Sequence, residues 1–257
     1  MSDKQQVTQR WEAYIEKIKA RCNEMIAQAN AGTDAFIPQL LFDTNAINNA
    51  WTGIKGQVFQ LDDKLDEGWD KMDDLMDKAG FKSKEWDAEY AKSGEAKIQI
   101  HWQYEKNYIL AMAKAARQVL FNVKNHINEN KIHTCTQCGN ALNISVYSFR
   151  AKNIKCDACE AVNTYKPDDR IIALESWVLV PLANEQALAE KEAEYFAEER
   201  RSYADNPSKE ENENVVKLRK ASINKYYQYL IDSIPEKADH YVRQRDQRLE
   251  WAERLNY

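Results

Sequence analysis

Glycine and proline are both scarce in this chain, with 7 and 5 among 257 residues. These are the residues that most often interrupt helices, so their scarcity leaves long stretches free to be helical. Charged residues make up 30% of the chain, which is typical of helices with solvated faces. The composition therefore predicts a mainly α-helical, elongated protein.

Long apolar runs are also missing. The most apolar stretch, from Ile171 to Ala183, is interrupted by Glu175 and is too short to cross a bilayer. The N-terminal residues lack the apolar run of a signal peptide, and neither end carries a lipidation motif. The net charge of −5 does not favour DNA or anionic membranes, which attract basic surfaces. We therefore expect a cytoplasmic protein that does not bind membranes.

The usual signatures of catalysis are absent as well. None of the four histidines has a glutamate three residues before it, so the di-iron pattern of helical bundles is missing. The sequence contains no Gly-x-Ser-x-Gly elbow, no glycine-rich phosphate loop and no His-Glu-x-x-His motif. We therefore expect that the protein is not an enzyme.

Apolar residues at alternating three- and four-residue steps predict three long helices in the first half of the chain. The first covers residues 3–31 and stops at Gly32, and the second begins near Phe36 and runs to Ala79. A hairpin turn at Gly80 leads to the third, which ends near residue 128. The predicted buried stripes include Trp11, Ile18, Cys22, Met25, Ile47, Trp51, Val58, Leu61, Leu65, Trp69, Met72, Met76, Trp86, Tyr90, Trp102, Ile109, Met112, Val119 and Val123.

Two charged features of these helices have more than one interpretation. Residues 62–77 include eight acids, which form a solvated helix face, a docking surface for a basic partner or a weak divalent-cation site. No EF-hand spacing supports the cation site. Glu105 falls on the apolar stripe of the third helix, where it either sets register with a neighbouring helix or turns to water.

The C-terminal part is also predicted to be helical. One helix covers residues 168–205 and is kinked or divided at Pro181. The residues from Ser208 to Glu211 form a capping-box pattern that begins another helix. The same pattern recurs from Ser233 to Glu236 and predicts a further helix start there.

Four of the five cysteines form two Cys-x-x-Cys pairs, Cys135 with Cys138 and Cys156 with Cys159. The short spacing within a pair lets both sulfurs bind one ion, and 17 intervening residues can fold back to join the pairs. The pattern indicates a site for one Zn²⁺, which would be structural because protein ligands fill all four positions. Redox cycling of the pairs is the alternative, and iron can replace zinc in a recombinant preparation. Four thiols at metal spacing also favour a reducing compartment.

The four cysteines lie in a segment of different character, residues 131–166. Gly139 permits a tight turn after the first pair, and the other residues show β-type side chains without a helical period. This segment resembles the zinc-ribbon modules, with Cys135, Cys138, Cys156 and Cys159 at the four ligand positions of that family. The resemblance implies a small β unit and covers no other part of the chain. His133 is near enough to substitute as a ligand, although we interpret it as a surface residue.

A cluster of aromatic and basic residues lies between the cysteine pairs and could contact nucleic acid by stacking and charge. These residues are Tyr147, Phe149, Arg150, Lys152 and Lys155. Residues 131–168 contain five basic and three acidic side chains, and a zinc tetrathiolate adds two negative charges. The segment is therefore nearly neutral, which makes nucleic acid the less favoured partner.

Together these features predict three parts: long helices in residues 1–130, a zinc-ribbon insertion in 131–168, and returning helices in 169–257. Because a ribbon brings its ends together, the helices on either side should pack antiparallel, as a bundle or coiled coil. The predicted function is a non-catalytic scaffold or adaptor that binds a protein partner or forms a homo-oligomer. The alternative is a nucleic-acid-associated factor that uses the ribbon as its contact surface.

Overall fold

Helices, including short 3₁₀ and π segments, account for 81% of the residues that the structure describes. The structure is a computed structural model and describes residues 3–130, 133–144, 151–167, 169–204 and 206–254. The predicted mainly α-helical class with a small β insertion is confirmed. The elements are α1 (Asp3–Phe36), α2 (Asn45–Lys78), α3 (Ser83–Asn130), β1 (Lys152–Lys155), β2 (Val162–Tyr165), α4 (Asp169–Ile172), α5 (Val180–Gln186), α6 (Leu188–Ser202), α7 (Lys209–Ser233) and α8 (Ala238–Arg254).

The first three helices run up, down and up around a shared apolar core. The predicted stripes of α1 and α2 face this core, which is closed by α3. The hairpin between α2 and α3 forms as predicted, because Gly80 takes a φ of +72°. The amide of Gly80 donates to the Asp77 carbonyl at 2.9 Å, and that of Phe81 to the Met76 carbonyl at 3.0 Å. These two bonds define a Schellman motif.

The predicted helix stop at Gly32 is wrong. The α1 helix continues through Gly32 to Phe36 and ends in a 3₁₀ turn, Ile37–Gln39, that contains Pro38. Thr33 does not begin a helix but lies inside α1, where its Oγ1 accepts a hydrogen bond from Nε1 of Trp51 at 2.9 Å. This contact between α1 and α2 stabilises a helical conformation that glycine alone disfavours.

The α3 helix belongs to two apolar cores. Its 48 residues span about 72 Å at 1.5 Å per residue. The N-terminal two thirds packs on α1 and α2, while the stretch from Ala113 to Val123 packs on residues 171–183 and on α7. The single predicted stripe therefore missed buried residues on its other side, such as Ala96, Ile100 and Tyr104. Among the described residues, no helix combines the length and apolar character needed to cross a membrane.

The helices after the ribbon return antiparallel to α3, as predicted. Arg117 on α3 forms an ion pair with Glu185. Lys106 lies three helical turns before Arg117 and forms an ion pair with Glu192. Still earlier on α3, the Ile98 carbonyl accepts a hydrogen bond from the Tyr195 hydroxyl at 3.3 Å. Contacts therefore move toward the start of α3 as the returning chain proceeds.

The segment containing Pro181 is divided into several helical pieces. A π-helical turn, Glu175–Leu179, runs directly into α5, and Pro181 lies in the first turn of α5. Glu175 in the π turn accepts hydrogen bonds from Lys237 and from the Tyr241 hydroxyl. These contacts join the divided segment to the C-terminal helix.

The two predicted capping boxes have different outcomes. At Ser208 both bonds form, because the Glu211 amide donates to Ser208 Oγ at 3.1 Å and the Ser208 amide donates to Glu211 at 2.7 Å. The second box does not form, although the further helix that it predicted follows as α8. Ser233 is the last residue of α7 and donates its hydroxyl to the Tyr229 carbonyl at 2.7 Å, and a 3₁₀ turn, Pro235–Lys237, leads into α8.

Candidate metal centre

Two similar hairpin turns carry the four cysteines. The first is bracketed by an antiparallel bridge between Thr134 and Ala141. The second connects β1 to β2, which pair antiparallel with Lys155 opposite Val162. In both turns the first cysteine follows the bracketing residue directly. The two turns therefore present their sulfurs in the same way.

The same two backbone hydrogen bonds close each turn. In the first, the Cys135 amide donates to the Asn140 carbonyl at 2.7 Å, and the Gly139 amide to the Cys135 carbonyl at 2.9 Å. In the second, the Cys156 amide donates to the Ala161 carbonyl, and the Glu160 amide to the Cys156 carbonyl, both at 2.9 Å. This repeated turn is the tight knuckle that the Cys-x-x-Cys spacing predicted.

The fifth position of each turn takes a left-handed backbone conformation. Gly139 has a φ of +73°, which glycine adopts without steric cost. Its counterpart Glu160 has a φ of +60°, which costs a residue with a side chain about 1–2 kcal/mol. Sequence inspection identified the turn at Gly139 but gave no signal for Glu160.

The four sulfur atoms converge on one point. All lie within 4.8 Å of one another. The Sγ atoms of Cys135 and Cys159 are 3.5 Å apart, and those of Cys138 and Cys156 are 3.7 Å apart. A tetrahedral ion with sulfur ligands at about 2.3 Å requires sulfur separations of about 3.8 Å. The four thiols are thus positioned to hold a single metal ion.

Access to this centre is uneven. Cys135 and Cys156 are buried, whereas Cys159 is half-buried and Cys138 is exposed. The protein therefore shields the first sulfur of each pair and leaves one side of the centre within reach of solvent. An ion, or a chelator that removes it, can approach from that side.

Donated hydrogen bonds favour the thiolate form of Cys135. The backbone amides of Cys138 and Gln137, together with the side-chain amide of Asn163, lower the pKa of the Cys135 thiol to about 6. The Gln137 amide and Asn163 Nδ2 each lie 3.4 Å from Cys135 Sγ. A thiol must lose its proton to bind a metal, so these donors prepare Cys135 for that role.

Asn163 connects the two halves of the ribbon and was missed by sequence analysis. It lies on β2 and is 6% exposed. Besides donating to Cys135, its Nδ2 donates to the Ala161 carbonyl at 3.1 Å. Its Oδ1 accepts from the Thr136 amide at 2.9 Å and the Thr136 hydroxyl at 3.0 Å. No spacing rule links an asparagine beyond the second cysteine pair to the first pair, so only the folded structure identifies it.

Two further contacts involve the ribbon, one within it and one with the C-terminal helices. His133 packs edge-on against Tyr165 at 5.0 Å and is not part of the sulfur cluster. Lys152 on β1 pairs with Glu236 in the 3₁₀ turn before α8. The cysteine-bearing unit is thus connected to the C-terminal helices by at least one ion pair.

The predicted nucleic-acid contact is described only in part. Tyr147, Phe149 and Arg150 lie outside the described residues. The two remaining cations are paired, Lys152 with Glu236 and Lys155 with Glu160 at 3.2 Å. These pairs reduce the positive charge that a phosphate backbone would meet on the described part of the ribbon.

The other sequence candidates lie in the helices. Cys22 is buried, and burial raises the pKa of its thiol to about 11, so it is an apolar core residue rather than a reactive thiol. In the acidic stretch, Asp66 pairs with Lys97 at 2.7 Å and Asp62 with His101 at 2.7 Å. Glu105 is half-buried and lines a surface groove between α2, α3 and α6.

The fold and site together define a helical protein with an inserted four-cysteine, ribbon-like metal-binding unit. Comparison of the chain with protein-family models, with curated proteins and with solved structures found no match. The functional conclusions therefore depend on the geometry of this chain alone.

Proposed function

We propose that the protein is a non-catalytic scaffold or adaptor whose ribbon is held together by one structural Zn²⁺. The observation that supports zinc is the convergence of Cys135, Cys138, Cys156 and Cys159 at near-tetrahedral separations. Four thiolates suit Zn²⁺ and leave no open position for a substrate or a reactive water. Folding a two-stranded unit of this size requires such a crosslink, because two strands bury little apolar surface.

Two exposed apolar side chains at the α1–α2 connection and on α3 support the adaptor role. Asn122 on α3 donates its side-chain amide to the carbonyls of Leu40 and Leu41, at 2.6 and 2.9 Å, and so fixes the connection between α1 and α2. Leu41 is 70% exposed, and Phe121, which precedes Asn122 on α3, is 58% exposed. Large apolar side chains exposed at the surface are typical of protein contacts. We therefore place the protein partner on this surface, which we call the Leu41–Phe121 surface.

The metal is tested by elemental analysis of untagged protein. We expect one zinc per chain, and a content well below one in Cys159→Ser. Circular dichroism of that variant should retain most of the helical signal, because the helices have their own cores. The Cys22→Ala variant is the control: it should lose thermal stability by opening a core cavity yet keep its zinc. Substoichiometric zinc with four titratable thiols in the unaltered protein would favour the redox alternative.

The adaptor role is tested by capture from extracts of the source cells at high salt. We expect a protein that remains bound in high salt, and loss of that protein when Leu41 and Phe121 are both changed to serine. Val162 on the ribbon is equally prominent, at 66% exposed, so Val162→Ser is the matched control. Capture that depends on Val162 and not on the Leu41–Phe121 surface would contradict our placement of the partner.

Nucleic-acid binding remains the second candidate. The ion pairs of Lys152 and Lys155 reduce its support on the described part of the ribbon. Oligonucleotide binding that weakens steeply with salt and disappears in the double variant Arg150→Ala/Lys152→Ala would make nucleic-acid binding the favoured function.

A further inference from the structure

A second candidate site lies among the C-terminal helices and shares no residue with the ribbon. It is a cavity of about 380 Å³ between α5 and α6 on one side and α7 and α8 on the other. This volume falls within the range of small-molecule sites, roughly 300–1,000 Å³. Several of the polar side chains that line it have no partner among the described residues.

Ser222 is the clearest of these groups. It lies on α7, is 5% exposed and lines the cavity. Its hydroxyl makes no hydrogen bond with any residue that the structure describes. Asn184 on α5 lines the same cavity, and its amide is also without a hydrogen bond among those residues. A largely buried serine that lines a cavity and bonds no described residue leaves its hydroxyl available to a ligand.

The charge of the lining specifies an anion. Lys191, Arg219 and Arg248 face the cavity with a single carboxylate, Glu194, which leaves a local charge of +2 in a chain of net charge −5. Arg219 is already paired with two carboxylates, Glu194 at 3.0 Å and Glu198 at 2.6 Å, so the positive charge available to a ligand comes from Lys191 and Arg248. Lys191 and Arg248 form no ion pair within the described part of the chain. Two unpaired cations beside one opening attract a negatively charged group.

The aromatic residues of the lining specify a flat group. Trp251 on α8 lines the cavity, is 55% exposed and makes no ring contact with another described residue. Tyr226 contributes a second ring to the same wall. An exposed tryptophan near an unpaired arginine provides a stacking surface beside an anion-binding group, as in sites that hold nucleotides.

We propose that this cavity binds a small anion that carries an aromatic ring, and specifically a nucleoside monophosphate. Lys191 and Arg248 bind the phosphate, the Trp251 ring stacks on the base, and the Ser222 hydroxyl and Asn184 amide bind polar groups of the ligand. This binding does not depend on the scaffold role or on zinc.

The test is calorimetric titration of the full-length protein. The probes are the four ribonucleoside 5′-monophosphates, with adenosine and inorganic phosphate as the separate halves of a nucleotide. We expect one site per chain for at least one nucleotide, with affinity at least tenfold above that of either half. The proposal is overturned if no nucleotide binds, if phosphate alone binds as tightly, or if a short single-stranded oligonucleotide binds more tightly than every mononucleotide.

Variants then locate the binding. Arg248→Gln and Trp251→Leu should each weaken nucleotide affinity about tenfold or more, since each removes a charged or stacking contact. Arg243→Gln is the matched control, because Arg243 is exposed on the same helix but does not line the cavity. Unchanged affinity in the first two variants overturns the proposal.

Ser222→Ala separates ligand binding from folding. The hydroxyl has no partner among the residues that the structure describes, so its removal should leave the melting temperature unchanged or raised while nucleotide affinity falls. A lowered melting temperature with unchanged affinity would show that the hydroxyl serves the fold, and would overturn its assignment to a ligand.

Discussion

Removing the Asn163 side chain should weaken metal binding without disturbing the helices. In Asn163→Ala the Thr136 amide loses its acceptor, the Ala161 carbonyl loses a donor, and Cys135 Sγ loses one of its hydrogen-bond donors. Leaving a buried polar group without a partner costs about 1–3 kcal/mol. Because 1.4 kcal/mol corresponds to a factor of ten, we expect zinc affinity to fall by about tenfold to a hundredfold.

The Asn163→Asp variant tests whether the amide acts as a donor to sulfur. Aspartate has nearly the same size and retains an acceptor for Thr136, but it replaces the N–H donor with a negative charge beside the thiolates. We therefore expect the zinc affinity of Asn163→Asp to be no higher than that of Asn163→Ala. Thr164→Ala is the control, since Thr164 is exposed on the same strand and, among the described residues, its side chain bonds only Asn153.

The assay is competition for zinc against a chromophoric chelator, together with absorption of the cobalt-substituted protein. The sulfur-to-cobalt charge-transfer band reports the electron density on the thiolates, and we expect it to shift in Asn163→Asp. Wild-type affinity and an unchanged band in that variant would refute a role for Asn163 beyond filling space.

Three further predictions concern the helices and the second turn. A Cβ at Gly68 would lie 2.3 Å from Cε1 of Tyr14, so Gly68→Ala should destabilise the protein by about 1–3 kcal/mol. A Cβ at Gly56 would meet open space, so Gly56→Ala should instead raise the free energy of unfolding in urea by about 1 kcal/mol. If both alanine variants changed the free energy of unfolding equally, this description of the packing would be wrong. Glu160→Gly should relieve the left-handed strain and slow zinc loss to a chelator, whereas Glu160→Ala should not. Burial opposes ionisation of Glu175, but its two hydrogen bonds outweigh this and lower its pKa. Its stabilising contribution is therefore full above about pH 4.3, the ordinary glutamate pKa, and is lost as acid titrates the folded form. Glu175→Gln should therefore flatten the dependence of the melting temperature on pH below about pH 4.3. A profile equal to that of the unaltered protein would exclude a stabilising contribution from ionised Glu175.

Elements specified by neighbouring residues were predictable. The Schellman turn at Gly80 and the capping box at Ser208 depend on hydrogen bonds within a few residues, so their patterns identified them. The cluster of Cys135, Cys138, Cys156 and Cys159 was equally predictable, because two cysteines separated by two residues can bring both sulfurs to one ion. The apolar stripes predicted most of the buried residues of α1 and α2 for the same reason.

Elements that depend on distant contacts were not predictable. Gly32 and Thr33 suggested a helix boundary, but the bond from Trp51 to Thr33 keeps that turn helical. The second buried side of α3 exists only because the chain returns after the ribbon and packs against it.

The sequence by itself determined the helical class, most of the apolar stripes of α1 and α2 and the four clustered cysteines, since each follows from periodicity or spacing along the chain, whereas the boundary between α1 and α2 was misplaced. Only the tertiary structure placed Asn163 beside Cys135, left Glu160 in a left-handed conformation and gathered Lys191, Ser222, Arg248 and Trp251 around one cavity. The physical reason is that these arrangements depend on side chains far apart in the chain, whose meeting is decided by how the helices pack.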